Sequence, residues 1–262
     1  MPTIHAHFLP QLTTPDALAG QTVVVIDVLR ATTTISTALA AGAARVIPCL
    51  EVDEARQIAD GAPAGEFLLG GEREGLPIEG FDLGNSPGDY TPERVSGRTI
   101  VFTTTNGTRA MRHCQQAQRV LIGAFVNLKA LVLELASLES VHLLCAGTKG
   151  EITREDVLLA GAIAYELTLP DNPAMAGVWY RSELNDQARL ARDAWQLARP
   201  KVEPPFAEAE PIWLWKALTA TQGGRNLKRI GLESDIAAAA ALNRLNITPR
   251  LDVDRWQINA SS

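Results

Sequence analysis

The chain has 262 residues, 46% hydrophobic and 21% charged, so it is long enough to bury a large core. Its 24 Lys and Arg residues against 30 Asp and Glu give a net charge of -6, and the absence of a basic tract argues against a nucleic-acid partner. No apolar run approaches the roughly 18 residues of a membrane span, so a cytoplasmic protein without a membrane partner is expected. Cys49, Cys114 and Cys145 are far apart, which argues against a disulfide framework and against a structural zinc site.

The first predicted strand, from Thr3 to Leu9, alternates apolar residues with His5 and His7. This alternation is typical of a strand with one solvated face. A metal role for the two histidines is the less favoured alternative, because no third ligand lies nearby in the sequence.

The run Val23 to Ile26 has four consecutive β-branched residues, which is typical of a parallel strand that is buried on both faces. Asp27 lies where this strand ends, and Arg30 precedes a Thr-rich segment that opens a helix. Because the ends of strands form the binding crevice in open α/β sheets, Asp27 and Arg30 are candidate catalytic residues. In the alternative interpretation, Asp27 accepts hydrogen bonds from loop amides and Arg30 pairs with it.

A long segment from Gly70 to Pro87 follows the predicted strand Glu66 to Leu69. It is too rich in Gly and Pro for a helix and too long for a simple turn, which favours an ordered binding loop over a plain connection. Its candidate site residues are Glu72, Arg73, Asp82, Asn85 and Ser86.

A turn from Thr103 to Thr108 joins the predicted strand Thr99 to Phe102 to the next helix. Hydroxyls and free amides at such a junction suit an oxyanion such as phosphate, although helix capping alone is the alternative explanation. The spacing of a Walker loop is absent. The candidate phosphate ligands are Thr104, Thr105, Asn106 and Gly107.

Two further strands, Arg119 to Gly123 and Val141 to Cys145, also end in small or polar residues. Asn127 follows the first of them and is a candidate substrate ligand. After the second, Glu155 and Asp156 begin a long apolar helix and are candidate metal ligands. A capping box formed by Thr153 and Asp156 is the structural alternative.

The C-terminal third carries weaker patterns. Trp179 and Trp195 are expected to pack in the interior, and Pro200 to Pro211 is expected to form a loop. Gly223-Gly224-Arg225 is expected to break a helix, as a plain turn or as one more anion contact. An alanine-rich helix is expected from Asp235 to Asn243, and a final strand from Leu251 to Ile258.

The repeated order of strand and helix predicts an α/β fold, with a three-layer arrangement of a mixed or largely parallel sheet and helices on both faces. We expect one catalytic unit over residues 1–262, with two close-packed lobes as the alternative. No GxGxxG follows a strand and no GxSxG elbow joins a predicted strand to a predicted helix, which disfavours a nicotinamide enzyme and a serine hydrolase. The residues alone therefore indicate binding of a small anionic phosphorylated molecule, with Mg²⁺ as an expected cofactor.

Four strings occur in an order that resembles the 2-phosphosulfolactate phosphatase (ComB-type) family: VVIDVLRATTTI, GEREGLPIEGFDLGNSP, TTTNGT, and CAG followed by EDVLLAG. The resemblance covers about Val23 to Gly161 and is weaker from Gly223 to Asn243. It implies a ComB-like fold and a Mg²⁺-dependent hydrolysis of 2-phosphosulfolactate to 3-sulfolactate and phosphate, a step on a route to coenzyme M.

Roles follow from the position of each residue in these motifs. Asp27 is the first-choice metal ligand, and the lesser candidates are Glu72, Asp82, Glu155 and Asp156. Arg30 and Arg73 are assigned to substrate anions, Thr104 to Gly107 to the phosphate, and Asn85 and Ser86 to the same crevice. The alternative for the two arginines is pairing with Asp27 and Glu72.

Several functional alternatives stay open at this point. The chain could act on another small phosphorylated 2-hydroxy acid, or it could bind a phosphometabolite without turning it over. An aspartyl-phosphate phosphatase of the haloacid dehalogenase type is disfavoured, because its second acid would fall at Leu29. A homodimer is kept as an option.

Overall fold

A computed structural model describes residues 2–61, 63, 65–169, 182–200 and 211–260. Trp179 and the interior of the predicted loop Pro200 to Pro211 lie outside these residues. Eleven strands form one sheet. They are β1 (Thr3–His7), β2 (Thr22–Ile26), β3 (Arg45–Cys49), β4 (Phe67–Arg73), β5 (Leu76–Pro77), β6 (Thr99–Thr103), β7 (Arg119–Gly123), β8 (Ser140–Cys145), β9 (Glu183–Leu184), β10 (Arg250–Asp252) and β11 (Gln257–Asn259).

Helices connect the strands and cover both faces of the sheet. They are α1 (Ala31–Ala40), α2 (Val52–Asp60), α3 (Pro92–Val95), α4 (Gly107–His113), α5 (Leu128–Leu135), α6 (Arg154–Thr168), α7 (Asp186–Ala198), α8 (Ile212–Thr219), α9 (Gln222–Arg229) and α10 (Glu233–Ala240). None of the helices in the described ranges has the length and apolar character that a membrane crossing requires.

The sheet is mixed, with the strand order β5-β4-β6-β3-β11-β10-β7-β2-β8-β1-β9. One parallel group contains β7, β2, β8, β1 and β9, and a second contains β3, β6 and β4. The C-terminal hairpin of β10 and β11 joins the two groups through antiparallel pairings. The predicted α/β class with a mixed sheet is confirmed.

The β2 strand is buried on both faces, as its β-branched run predicts. Val23 and Val25 pack into the core beside α1 and α4, whereas Val24 and Ile26 pack into the core beside α5, α6 and α7. Each face of the strand therefore contributes to a separate apolar layer. The fully buried Trp195 belongs to the second layer, which confirms its predicted packing role.

Three expectations about local structure are wrong. The final strand is a hairpin, since a turn separates β10 from β11. Gly223 and Gly224 lie inside α9, because the Thr221 side chain caps this helix by accepting from the Gly224 amide. His5 and His7 do not lie on an open solvated face, because they stack against the buried His142 of β8.

Candidate active site

A cavity of about 180 Å³ lies where the end of β2, the end of β6, the turn after β4 and helix α9 meet. This is smaller than the roughly 300–1,000 Å³ that drug-sized ligands occupy, so the cavity suits a small metabolite. Its lining residues are Asp27, Leu29, Arg30, Glu72, Glu74, Gly75, Asn85, Thr104, Thr105, Asn106, Thr148, Lys149, Gly223, Asn226, Leu227, Arg229 and Ile230.

Asp27 lies at the inner end of this cavity, directly after β2. Its Oδ1 accepts a hydrogen bond of 3.3 Å from the Ala31 amide, which opens α1. Gly107 packs so closely that a Cβ there would lie 2.8 Å from Asp27 Oδ2. Burial, and next the negative charge of Glu72, raise the pKa of Asp27 to about 7. Two carboxylates therefore face one small space and repel each other.

Glu72 connects the two motifs that flank the cavity. Its Oε1 accepts from the Thr105 amide at 2.8 Å, and its Oε2 accepts from the Gly75 amide at 2.6 Å. These bonds fix the turn after β4 against the turn after β6, and they fix the carboxylate itself. Each oxygen keeps acceptor capacity for a further partner.

Arg30 is held by two partners from distant parts of the chain. Nη1 donates to Asp235 Oδ2 of α10 at 2.6 Å, and Nη2 donates to the Gly75 carbonyl at 2.8 Å. The alternative in which Arg30 pairs with Asp27 is therefore wrong, since Asp235 is its ion-pair partner. The Ser86 hydroxyl also donates to Asp235, which places Ser86 behind Arg30 and outside the cavity lining.

The predicted phosphate turn supplies three of the lining residues, namely Thr104, Thr105 and Asn106, whereas the fourth predicted ligand, Gly107, lies outside the lining. The Thr105 hydroxyl is buried and has no hydrogen-bond partner among the described residues, and the same holds for Asn85 Oδ1. A buried polar atom without a partner costs stability unless a ligand, water or ion satisfies it. Both atoms belong to cavity-lining residues, so they are available to a bound ligand.

Three other predicted ligands lie elsewhere, and we correct their positions. Arg73 donates to the Leu50 and Glu72 carbonyls and to the Thr103 hydroxyl. Its guanidinium therefore connects β4 to the end of β6 and to the segment after β3. This also excludes the predicted alternative of an ion pair between Arg73 and the Glu72 carboxylate. Asp82 is exposed and accepts from the Leu69 amide. Asn127 is fully buried and bonds to backbone groups of the segments 122–124 and 247.

The predicted ligands Glu155 and Asp156 lie beneath the cavity, outside its lining. Asp156 accepts from the Val28 and Gly147 amides and the Thr153 hydroxyl, so it ties the ends of two strands to α6. Glu155 Oε1 accepts from the Gly223 amide, while its buried Oε2 has no partner in the described ranges. Burial raises the pKa of both carboxyls.

The five predicted metal ligands do not form one cluster. In the part of the chain that the structure describes, no three His, Cys, Asp or Glu side chains meet in a metal-binding arrangement. Asp27 and Glu72 do line the same cavity. Two carboxylates are a sufficient protein contribution for Mg²⁺, which keeps several waters and takes further oxygens from its substrate.

Four side chains of this region had no role assigned to them from the sequence. Asp235 holds Arg30, while Lys149, Asn226 and Arg229 line the cavity. The Gly223-Gly224-Arg225 string next to an acidic helix was the only signal in the C-terminal region, and it pointed to the correct helix pair but not to these residues.

Comparison with known proteins identifies the family. The family model described as 2-phosphosulpholactate phosphatase matches residues 7–253. A protein of Symbiobacterium thermophilum named probable 2-phosphosulfolactate phosphatase is 43% identical over 235 residues, which cover 89% of this chain and 92% of the relative. One of Pseudothermotoga lettingae with the same name is 37% identical over 243 residues, with 92% and 95% covered. The chain therefore belongs to the 2-phosphosulpholactate phosphatase family.

Proposed function

We propose that this protein is a Mg²⁺-dependent phosphatase that hydrolyses 2-phosphosulfolactate to 3-sulfolactate and phosphate. The observation that carries the proposal is the pair of buried carboxylates, Asp27 and Glu72, that faces a small cavity together with Arg30. The relatives named for this activity at 36–43% identity over most of the chain support the substrate.

The cavity residues fit a divalent cation. Asp27 and Glu72 supply carboxylate oxygens that would hold the cation, and its positive charge would offset the cost of their burial and mutual repulsion, which together raise the pKa of Asp27. Glu155 lies outside the cavity lining, and among the described residues no third carboxylate joins Asp27 and Glu72 in a metal-binding group, so the remaining ligands would be waters and substrate oxygens. When bound, Mg²⁺ supplies positive charge that offsets the negative charge on the phosphoryl oxygens.

The chain's own residues then bind and orient the phosphate ester. Arg30 uses two of its five N–H donors for Asp235 and Gly75, which fixes its guanidinium and leaves the other donors for phosphoryl oxygens. The Thr105 hydroxyl is a further donor for the same group. Because the net charge of -6 does not attract an anion, this local positive and hydrogen-bonding surface must do so.

The experiment that tests the proposal is a phosphate-release assay on a panel of small phosphate esters with excess Mg²⁺. We expect the highest kcat/KM with 2-phosphosulfolactate. Faster phosphate release from another phosphorylated 2-hydroxy acid would show that the proposed substrate is wrong, while the proposed phosphatase reaction would stand. Binding of these esters by calorimetry with no release from any of them would identify a non-catalytic binding protein instead.

Three expectations from the resemblance and the sequence extend the proposal. We propose that the reaction is a step on a route to coenzyme M and that the protein is located in the cytoplasm. A homodimer stays a prediction. Accumulation of 2-phosphosulfolactate in the soluble fraction of a deletion strain supports the first two. Sedimentation equilibrium measures the third.

A further inference from the structure

The cavity has two ends of opposite charge. The inner end carries Asp27 and Glu72, whose side chains are almost fully buried. The outer end carries the exposed cations Lys149 and Arg229 together with the exposed Glu74, so cations outnumber carboxylates there. A metal and a phosphoryl group suit the inner end. The outer end then faces the other functional groups of the substrate.

The cations of the cavity differ in how far they are already neutralised. Arg30 is paired with the buried Asp235. Lys149 Nζ lies 3.8 Å from Glu74 Oε1, and both side chains are exposed. Arg229 donates from Nη2 to Asn226 Oδ1 at 3.1 Å, and among the described residues no carboxylate pairs with it. Arg229 is therefore the cavity cation with the most charge left for a ligand.

The backbone of α9, which carries Asn226 and Arg229, is fixed by contacts at both of its ends. The Thr221 cap and the bond from the Gly223 amide to Glu155 anchor the start of the helix. At its other end, Ile230 packs against the turn after β4, where a Cβ on Gly75 would lie 3.4 Å from Ile230 Cδ1. The end of α9 thus forms one lip of the cavity and the turn at Gly75 forms the other.

The two side chains make a matched pair of donors. Because Asn226 Oδ1 already accepts from Arg229, the amide nitrogen of Asn226 keeps both of its N–H groups. The guanidinium adds a planar set of donors that can grip two oxygens of one acid. A second acidic group on the substrate would meet both sets of donors at this lip.

We propose that Arg229 and Asn226 form a second anion subsite, which binds a carboxylate or sulfonate carried by the same molecule as the phosphate. The inference rests on the proposed phosphatase function and deepens it, because it assigns recognition of the second acid of the proposed substrate to two named side chains. Arg229 is then a residue that determines specificity, and it acts on substrate binding rather than on the reacting phosphorus.

The alternative is that Arg229 only stabilises the C-terminal end of α9, as cations in a last helical turn do. Lys228 provides the matched control, since it lies in the same turn, carries the same charge and pairs with Glu233 outside the cavity lining. A purely helical or long-range electrostatic effect would appear equally in Lys228→Gln and Arg229→Gln.

The test measures kcat and KM for phosphate release from 2-phosphosulfolactate, 2-phospholactate and ethyl phosphate, with the wild type, Arg229→Gln, Arg229→Lys and Lys228→Gln. We expect Arg229→Gln to raise KM for at least one acidic ester by roughly 10- to 100-fold, with the KM for ethyl phosphate within about twofold. The ester that loses affinity identifies the acid: loss with both acidic esters indicates the carboxylate, and loss with 2-phosphosulfolactate alone indicates the sulfonate. Arg229→Lys should restore part of the loss, and Lys228→Gln should match the wild type.

Equal changes for all three esters in Arg229→Gln, or no change for any of them, would overturn the subsite. If the wild type releases phosphate from none of the esters, the phosphatase proposal falls while the subsite can still be tested. Calorimetric titration with the same three esters then gives the affinities directly. The subsite predicts that only the acidic esters lose affinity in Arg229→Gln.

Discussion

Arg30 Nη1 lies 2.6 Å from Asp235 Oδ2, although the two residues are 205 positions apart in the chain. Both side chains are almost completely excluded from solvent, at 4% and 2% exposure. This ion pair joins the start of α1 to α10, and through the Gly75 carbonyl it also holds the turn after β4. One buried guanidinium thus connects three segments that surround the cavity.

Removal of one member of this pair leaves the other charge buried and unpaired. We therefore expect Asp235→Ala to lower the free energy of unfolding by about 3–5 kcal/mol. The double variant Arg30→Met/Asp235→Leu should lose less stability than the sum of the losses in the single variants Arg30→Met and Asp235→Leu. Glu233→Ala is the control on the same helix, because its pair with Lys228 is exposed and should contribute less than about 1 kcal/mol. Urea unfolding measures all of these, and additive single and double effects would contradict the pairing.

Asp27→Asn should separate activity from stability. Activity should fall by roughly 10³-fold, because the variant loses a preorganised charge at the cavity. In metal-free buffer at pH 8, however, the free energy of unfolding should rise by roughly 2–4 kcal/mol. The reason is that the pKa of Asp27 is about 7 in the folded chain against 3.8 as its ordinary value, so the ionised group destabilises the folded state.

The sign of this effect fixes its pH dependence. Above pH 7 the full cost of ionised Asp27 is present, and it disappears as the pH falls toward 4 because the folded state takes up the proton first. The difference between Asp27→Asn and wild type should shrink over the same range. The exposed Asp254→Asn is the control and should show no such trend. A pH-independent difference for Asp27→Asn would show that the carboxyl is not perturbed by burial.

Much of this architecture follows from local sequence patterns. The β-branched run before Asp27 requires a strand buried on both faces, and such a strand forces its polar end to the edge of the sheet. Asp27 and Thr104 were predictable for this reason, since each follows a strand directly, and Glu72 lies in the last residues of β4. Their convergence on one cavity supports the use of strand ends as a guide to sites in α/β proteins.

The parts of the site and the fold that could not be predicted depend on contacts between distant segments of the chain. Arg73 carries the right charge in the right motif, but whether it turns toward the cavity or the sheet edge depends on the carbonyl of Leu50 and the hydroxyl of Thr103. Asp235 and Arg229 lie on α10 and α9, and no local periodicity encodes where these helices pack in the fold. The C-terminal hairpin that joins the two parallel groups was similarly beyond a local pattern.

Gly107 is required by the close approach of α4 to Asp27. A Cβ at this position would lie 2.6 Å from Ala31 Cβ and 2.8 Å from Asp27 Oδ2. We expect Gly107→Ala to shift Asp27 and to lower kcat/KM by roughly 100-fold, with a stability loss of about 1–3 kcal/mol. Gly88→Ala is the matched control, because a Cβ there would meet no atom within 4 Å. Normal kcat/KM in Gly107→Ala would contradict the placement of Asp27.

The histidines of β1 and β8 should destabilise the protein in acid. His7 Nε2 and His142 Nδ1 lie 3.0 Å apart, and burial, reinforced by neighbouring imidazoles, lowers the pKa of both to about 4. Because the ordinary pKa is 6.5, the unfolded chain takes up these protons before the folded chain does. The free energy of unfolding therefore falls as the pH falls from 6.5 to 4.

His142→Gln should therefore lose less stability than the wild type between pH 7.5 and 5. The expected difference is roughly 1–2 kcal/mol after allowance for partial exposure of the cluster. Urea unfolding at the two pH values provides the measurement. If the wild type and the variant lose the same free energy of unfolding over this pH range, the pKa of the histidines is not lowered in the folded protein.

The central claim is that a divalent cation held by Asp27 and Glu72 supports phosphate release in this cavity. The most direct measurement is phosphate release from 2-phosphosulfolactate by chelator-treated protein as Mg²⁺ is added back, with the wild type and Glu72→Gln side by side. We predict no release without Mg²⁺, saturable recovery in the wild type, and a requirement for roughly tenfold or more Mg²⁺ in Glu72→Gln. Full release by the metal-free wild type, or identical Mg²⁺ dependence in the two proteins, would contradict the claim.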